Sequence, residues 1–117
     1  MISFAEHNGF YTAAFKNLFD WTSRIDRKVY QDKPAVLLST SPGPRGASHI
    51  LKVARESAPF FGMDVQATLS ISRFYEIFDM EQARVIDAET QEQLELALAK
   101  LRLNKLPTLS PDPILTF

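Results

Sequence analysis

Over residues 12–25 apolar side chains recur at three- and four-residue spacing, at Phe15, Leu18, Phe19 and Ile25, with Ala14 and Trp21 beside them. This spacing predicts a helix with one buried face, and it assigns Trp21 to the core rather than to a ligand. Lys16, Asn17, Asp20 and Ser23 take much of the remaining circumference, and Thr12 stands where a hydroxyl can cap the first turn. Residues 24–33 are charged and read as a solvated connection. Residues 34–39, Pro-Ala-Val-Leu-Leu-Ser, are continuously apolar, which suits a parallel strand covered on both faces.

A breaker cluster, Ser41-Pro42-Gly43-Pro44-Arg45-Gly46, precedes a second helical stripe at Ala47, Ile50, Leu51, Ala54, Ala58 and Phe61. Pro59 is expected to bend or end that helix, and Gly62 to supply a left-handed cap. Met63, Val65, Ala67 and Leu69 alternate with Asp64, Gln66 and Thr68, which predicts a strand near an edge with one wetter face. Residues 70–87 hold Phe74, Tyr75, Ile77 and Phe78 without a period and read as an aromatic-rich loop. Thr90-Gln91-Glu92-Gln93 matches a capping box ahead of Leu94, Ala97, Leu98 and Leu101, so a third helix is expected over residues 91–103. Residues 106–117 contain three prolines and no period, and read as an extended tail behind a domain of residues 1–105.

The order helix, strand, helix, strand, helix implies an α/β fold with a parallel sheet flanked by helices. Residues 34–39 are expected at its centre, between a stub at residues 1–4 and the strand at 64–69. The chain has 117 residues, whereas a five-stranded doubly wound domain needs on the order of 150. The front of the domain is therefore expected to be absent, with the inner edge of the stub unpaired and open to oligomerisation.

Composition narrows the chemistry. A net charge of -1, from 13 Lys plus Arg against 14 Asp plus Glu, argues against a polybasic nucleic-acid arm. The chain has no cysteine, which removes thiolate nucleophiles and thiolate metal sites. No membrane segment and no signal peptide can be read, and a cytoplasmic protein is expected. Ser41, His49 and Asp64 lack nucleophile-elbow spacing, so a hydrolase triad is set aside. Ligands of open α/β sheets seat outside the carboxyl ends of the strands, which singles out residues 5–10 and 40–46. On composition alone these segments are open between ligand-binding loops and plain strand-to-helix turns.

The string Ala5-Glu6-His7-Asn8-Gly9, followed by Thr12-Ala13-Ala14-Phe15-Lys16-Asn17-Leu18-Phe19-Asp20-Trp21, resembles the P-E-Y-N-G and L-K-N-x-x-D-W signature of flavodoxin-like NAD(P)H-dependent FMN reductases. Lys33-Pro34-Ala35-Val36-Leu37-Leu38-Ser39-Thr40-Ser41-Pro42-Gly43 is similar to the same family's next strand and flavin-side loop. The resemblance implies a flavodoxin-like three-layer fold, FMN as cofactor, NADPH or NADH as donor, and a small-molecule acceptor such as a quinone, azo compound, flavin or metal oxyanion. It implies that Glu6, His7, Asn8, Gly9 and Phe10 lie against the isoalloxazine ring, with the Asn8 and Gly9 amides at its polar edge. Ser39, Ser41 and Gly43 would frame the neighbouring part of the flavin site. The two helices at 12–25 and 47–61 would form a homodimer contact. His7 stands where the family has tyrosine, and Phe10 where it has a small residue. The family's G-S-x-R-x-x-S phosphate loop has no counterpart in this chain, and Arg45 does not replace it by motif. The alternative reading is a truncated, non-catalytic α/β module used for assembly.

Overall fold

The computed structural model describes residues 1–103 and the strand at 115–116. Its framework follows from one apolar run, Pro34–Thr40 (β4), in which residues 35–39 are all buried. Side chains alternate across a strand, so Ala35 and Leu37 point into one core while Val36 and Leu38 point into another. β4 pairs in parallel with Ile2–Phe4 (β1) on one side, Ile2 opposite Leu37, and with Asp64–Ile71 (β5) on the other. The expected central strand and its two neighbours are therefore found.

Two short strands after β1, Glu6–His7 (β2) and Phe10–Tyr11 (β3), lead into the helix Ala13–Ile25 (α1). The expected cap is present, with Thr12 Oγ1 accepting the Phe15 N–H at 3.1 Å. α1 and Ser48–Ser57 (α2) cover the first face of the sheet, where Phe15, Ile50, Leu51 and Ala54 pack on Ile2, Phe4 and Leu37. α2 ends where Pro59 predicts. A 3₁₀ turn at Ala58–Phe61 follows, and Gly62, at φ 82°, donates its N–H to the Pro59 carbonyl. The opposite face is covered by Ala88–Leu103 (α4), through Leu94, Ala97 and Leu101 against Val36, Leu38, Ala67 and Leu69. Helices on both faces of a parallel sheet make the three-layer α/β arrangement of a flavodoxin-like fold.

The structure corrects five local expectations. Of the α1 stripe only Phe15 is fully buried, whereas Trp21 is 69% and Ile25 89% exposed. Helical spacing reports a shared face, and nothing among the described residues covers the outer part of this one. In β5 the alternation breaks, because Ala35 pairs with Val65 but Val36 pairs with Ala67, leaving Gln66 as a bulge. The extra residue sends Val65 to the α1–α2 core and Ala67 and Leu69 to the α4 core. Residues 70–87 are ordered structure. β5 runs to Ile71, a helical turn Phe74–Ile77 (α3) follows, and Phe78–Asp79 (β6) pairs antiparallel with Arg84–Val85 (β7). The cap of α4 lies three residues ahead of the expected box. Asp87 Oδ2 accepts the Thr90 N–H at 2.9 Å and the Thr90 hydroxyl at 2.7 Å, so Thr90 sits inside the first turn.

The fifth correction concerns the edge beside β1. Leu115–Thr116 (β8) pairs in parallel with it, Ile2 opposite Leu115 and Ser3 opposite Thr116, giving the order β5-β4-β1-β8. The inner edge of the stub is therefore paired rather than open. The remainder of the expected tail lies outside the described residues.

Two stability outcomes follow. Leu37→Ala empties a fully buried position at the centre of the sheet and should lower the unfolding free energy by about 2–5 kcal/mol, read from the urea midpoint at unchanged slope. Thr12→Ala removes the α1 cap and should cost about 1 kcal/mol in the same measurement.

Candidate functional site

Three loops gather at the carboxyl ends of β1, β4 and β5. The first is the hairpin made by β2 and β3, with Glu6 opposite Tyr11 and His7 opposite Phe10. Asn8 and Gly9 turn it with φ of 53° and 79°. Two successive positive φ values are what a two-residue type I′ turn requires, and Asn-Gly is the pair best suited to it. The turn stands clear of the body, since nothing lies within 4 Å of where a Cβ on Gly9 would be. His7, Asn8, Gly9 and Phe10 are all exposed. The Asn8 and Gly9 amides have no hydrogen-bond partner among the described residues, so the tip offers two donors to whatever stands against it.

The base of the hairpin is held on α2. Glu6 Oε1 accepts the Ile50 N–H at 2.8 Å, and the Tyr11 hydroxyl lies 3.2 Å from Ser57 Oγ. Burial pushes the Tyr11 phenol above its ordinary value, against the opposing effect of the Ser57 hydrogen bond.

The second loop follows β4. Ser39 is fully buried, and its hydroxyl donates to the Gly46 carbonyl at 2.7 Å. The same carbonyl accepts the Ser70 hydroxyl at 2.9 Å. Gly46 has φ 59°, and a Cβ there would stand 2.9 Å from the backbone of Ile71 and Ser72. Only glycine allows that approach. Ser39 thus acts on the shape of the loop, while Ser41 and Gly43 lie on its half-exposed part. The third loop is fastened to the second, with the Arg73 N–H donating to the Gly43 carbonyl at 2.9 Å and the Phe74 N–H to the Ser41 carbonyl at 3.1 Å.

Of the eight residues singled out in the sequence, Glu6, His7, Asn8, Gly9, Phe10, Ser41 and Gly43 belong to the loops at one end of the sheet, Ser39 lies in β4 just before the second of them, and Glu6 ties the hairpin to the helix that follows that loop. The hairpin itself was missed, although Asn-Gly is its signal. The Glu6–Ile50 contact spans 44 residues and has no sequence signal. Arg73 and Phe74 join the site through backbone groups, which side-chain patterns do not reveal.

These residues fit the ring of a flavin better than its phosphate. Exposed amides and the Phe10 ring suit a planar heteroaromatic with acceptor atoms. The start of α2 does not suit a phosphate, because the Glu6 carboxylate already occupies the Ile50 N–H. Behind the hairpin a largely apolar cavity of about 340 Å³ runs between α1 and α2, lined by Phe10, Tyr11, Phe15, Phe19, Tyr30 and Phe61 among others. Burial pushes the Tyr30 phenol strongly upward as well. Among the described residues no helix is long and apolar enough to cross a membrane.

Comparison with known proteins bears on the family of the chain. The family model of NADPH-dependent FMN reductases matches residues 1–76, a stretch that includes the hairpin and the loop after β4. The chain is also 28% identical over 100 residues to an NAD(P)H-dependent FMN reductase of Pseudomonas aeruginosa, an alignment covering 84% of this chain and 54% of the relative. The chain thus spans about half the length of the curated relative it matches. With well over half of its residues inside the family match, and with the matched loops gathered at one end of a parallel sheet, the chain belongs to the NADPH-dependent FMN reductase family.

Proposed function

We propose that this chain supplies the ring-binding part of an NAD(P)H-dependent flavin reductase, in which hydride passes from a nicotinamide to bound flavin and electrons pass on to a small-molecule acceptor. The observation that carries the reading is the exposed Asn8–Gly9 turn, at the same end of the sheet as the Ser41–Gly43 loop, in a chain of this family. A flavin bound here would supply the redox chemistry, and the protein its orientation and its electrostatic surroundings. The Asn8 and Gly9 amides would donate to the polar edge of the ring, and Phe10 would cover apolar ring surface. His7 would border the ring beside them, Ser41 and Gly43 would frame its neighbouring side, and Ser39 would hold that frame in shape. Cytoplasmic action, where nicotinamide donors are supplied, is part of the same proposal.

We further propose a homodimer through α1 and α2. Its support is the exposed apolar row of Leu18, Trp21 and Ile25 on α1, with Phe60 separately exposed on the turn after α2. Surfaces of this kind on one element are the ordinary mark of a protein contact. The Lys16–Asp20 ion pair at 2.7 Å lies on the same helix and supplies the polar rim. The second reading, a flavin-free assembly module, is favoured by this same surface, and flavin binding separates the two.

Fluorescence quenching with FMN and riboflavin tests the first proposal. A lost phosphate site removes charge-assisted hydrogen bonds of about 1.5–3 kcal/mol each, so two of them are equivalent to about two to four decades of affinity. Both flavins should therefore bind weakly and within about tenfold of one another. FMN binding at least about a hundredfold tighter would establish a phosphate site after all, and binding of neither would remove the ring-binding reading. For the second proposal, light scattering should give twice the 13.3 kDa chain mass, and Trp21→Glu should shift the species to monomer. A parent chain that stays monomeric at high concentration would count against the dimer.

A further inference from the structure

We propose that Glu6 is a positioning residue whose carboxylate clamps the β2–β3 hairpin onto α2 and so sets where the Asn8–Gly9 tip stands. The inference rests on the reading of that tip as the ring-facing surface, but its geometry is separate. The start of α2 lacks a cap of its own. Ala47 precedes it at φ 55° with no side-chain acceptor, while the first amides of any helix have no partner within the helix. Ile50 is fully buried, so water cannot readily satisfy its N–H. The acceptor arrives from Glu6 at 2.8 Å, and it brings negative charge to the positive end of the helix dipole.

The hairpin needs this contact as much as the helix does. It has only two paired positions, and an isolated two-stranded hairpin is marginal in water even when longer. Its base pair, Glu6 and Tyr11, reaches α2 at two separate points, Ile50 and Ser57. Seven residues of helix set those points about 10 Å apart. One attachment would let the hairpin swing, whereas two fix its angle. Charge alone does not explain the arrangement, because an amide oxygen at the same position would accept the same N–H.

The test uses Glu6→Gln, Glu6→Ala and Tyr11→Phe in the full chain, with amide hydrogen exchange at Ile50 and at Phe10, which pairs with His7 in the hairpin, and riboflavin affinity read together. Glu6→Gln keeps an acceptor and should stay within about threefold of the parent in both readouts. Glu6→Ala should exchange at least about tenfold faster at both amides and bind riboflavin at least about tenfold more weakly, with retained far-UV dichroism. Tyr11→Phe should move both readouts in the same direction by less. Parent-like exchange in Glu6→Ala, or Glu6→Gln as damaged as Glu6→Ala, would overturn the clamp. If the parent binds no riboflavin, the flavin reading fails while exchange at Phe10 and Ile50 still decides the clamp.

Discussion

Burial of β4 on both faces is the constraint on which the rest of this structure depends. Val36 and Leu37 are fully buried and point in opposite directions, so the chain must provide one layer of helix for each. α1 and α2 supply the first layer and α4 the second. Parallel pairing on either side of β4 follows from the same requirement, because a helical crossover after a strand returns the chain to the starting end of the sheet. Among the described residues all three long-range strand pairings are parallel, and the loops after β1, β4 and β5 consequently meet at one end.

At that end the loops are built mainly by backbone contacts and short hydroxyls. The Gly46 carbonyl accepts from Ser39 and Ser70, the Gly43 carbonyl from Arg73, and the Ser41 carbonyl from Phe74. Ordinary side chains at Gly46 would force the second and third loops apart. At the same end of the sheet the Asn8–Gly9 turn stands exposed, and Ser41 and Gly43 are half-exposed.

The edge beside β1 shows the same economy of pairing. β8 extends the sheet beyond β1 in the parallel direction. An unpaired edge presents a row of amides and carbonyls that recruits another strand, and here two residues of the same chain answer part of that demand. The polar site and this edge are thus adjacent, since β1 runs from the β8 pairing directly into the hairpin.

Local chemistry alone was enough for the elements that bury a continuous face or carry a strong stop. The two-sided strand at Pro34–Thr40, the Thr12 cap, the Pro59 stop and the Gly62 cap are all legible because each is decided by a residue and its immediate neighbours. The matched loop strings were legible for the same reason. Tertiary structure decided whatever depends on a distant partner. The Gln66 bulge arises from pairing with β4, the exposure of Trp21 from which helix face meets the sheet, and the β1–β8 pairing from an edge 113 residues upstream, between Ile2 and Leu115. The Glu6–Ile50 contact belongs with these. A carboxylate becomes a helix cap only when folding carries it to an orphan amide, and no local pattern records that meeting.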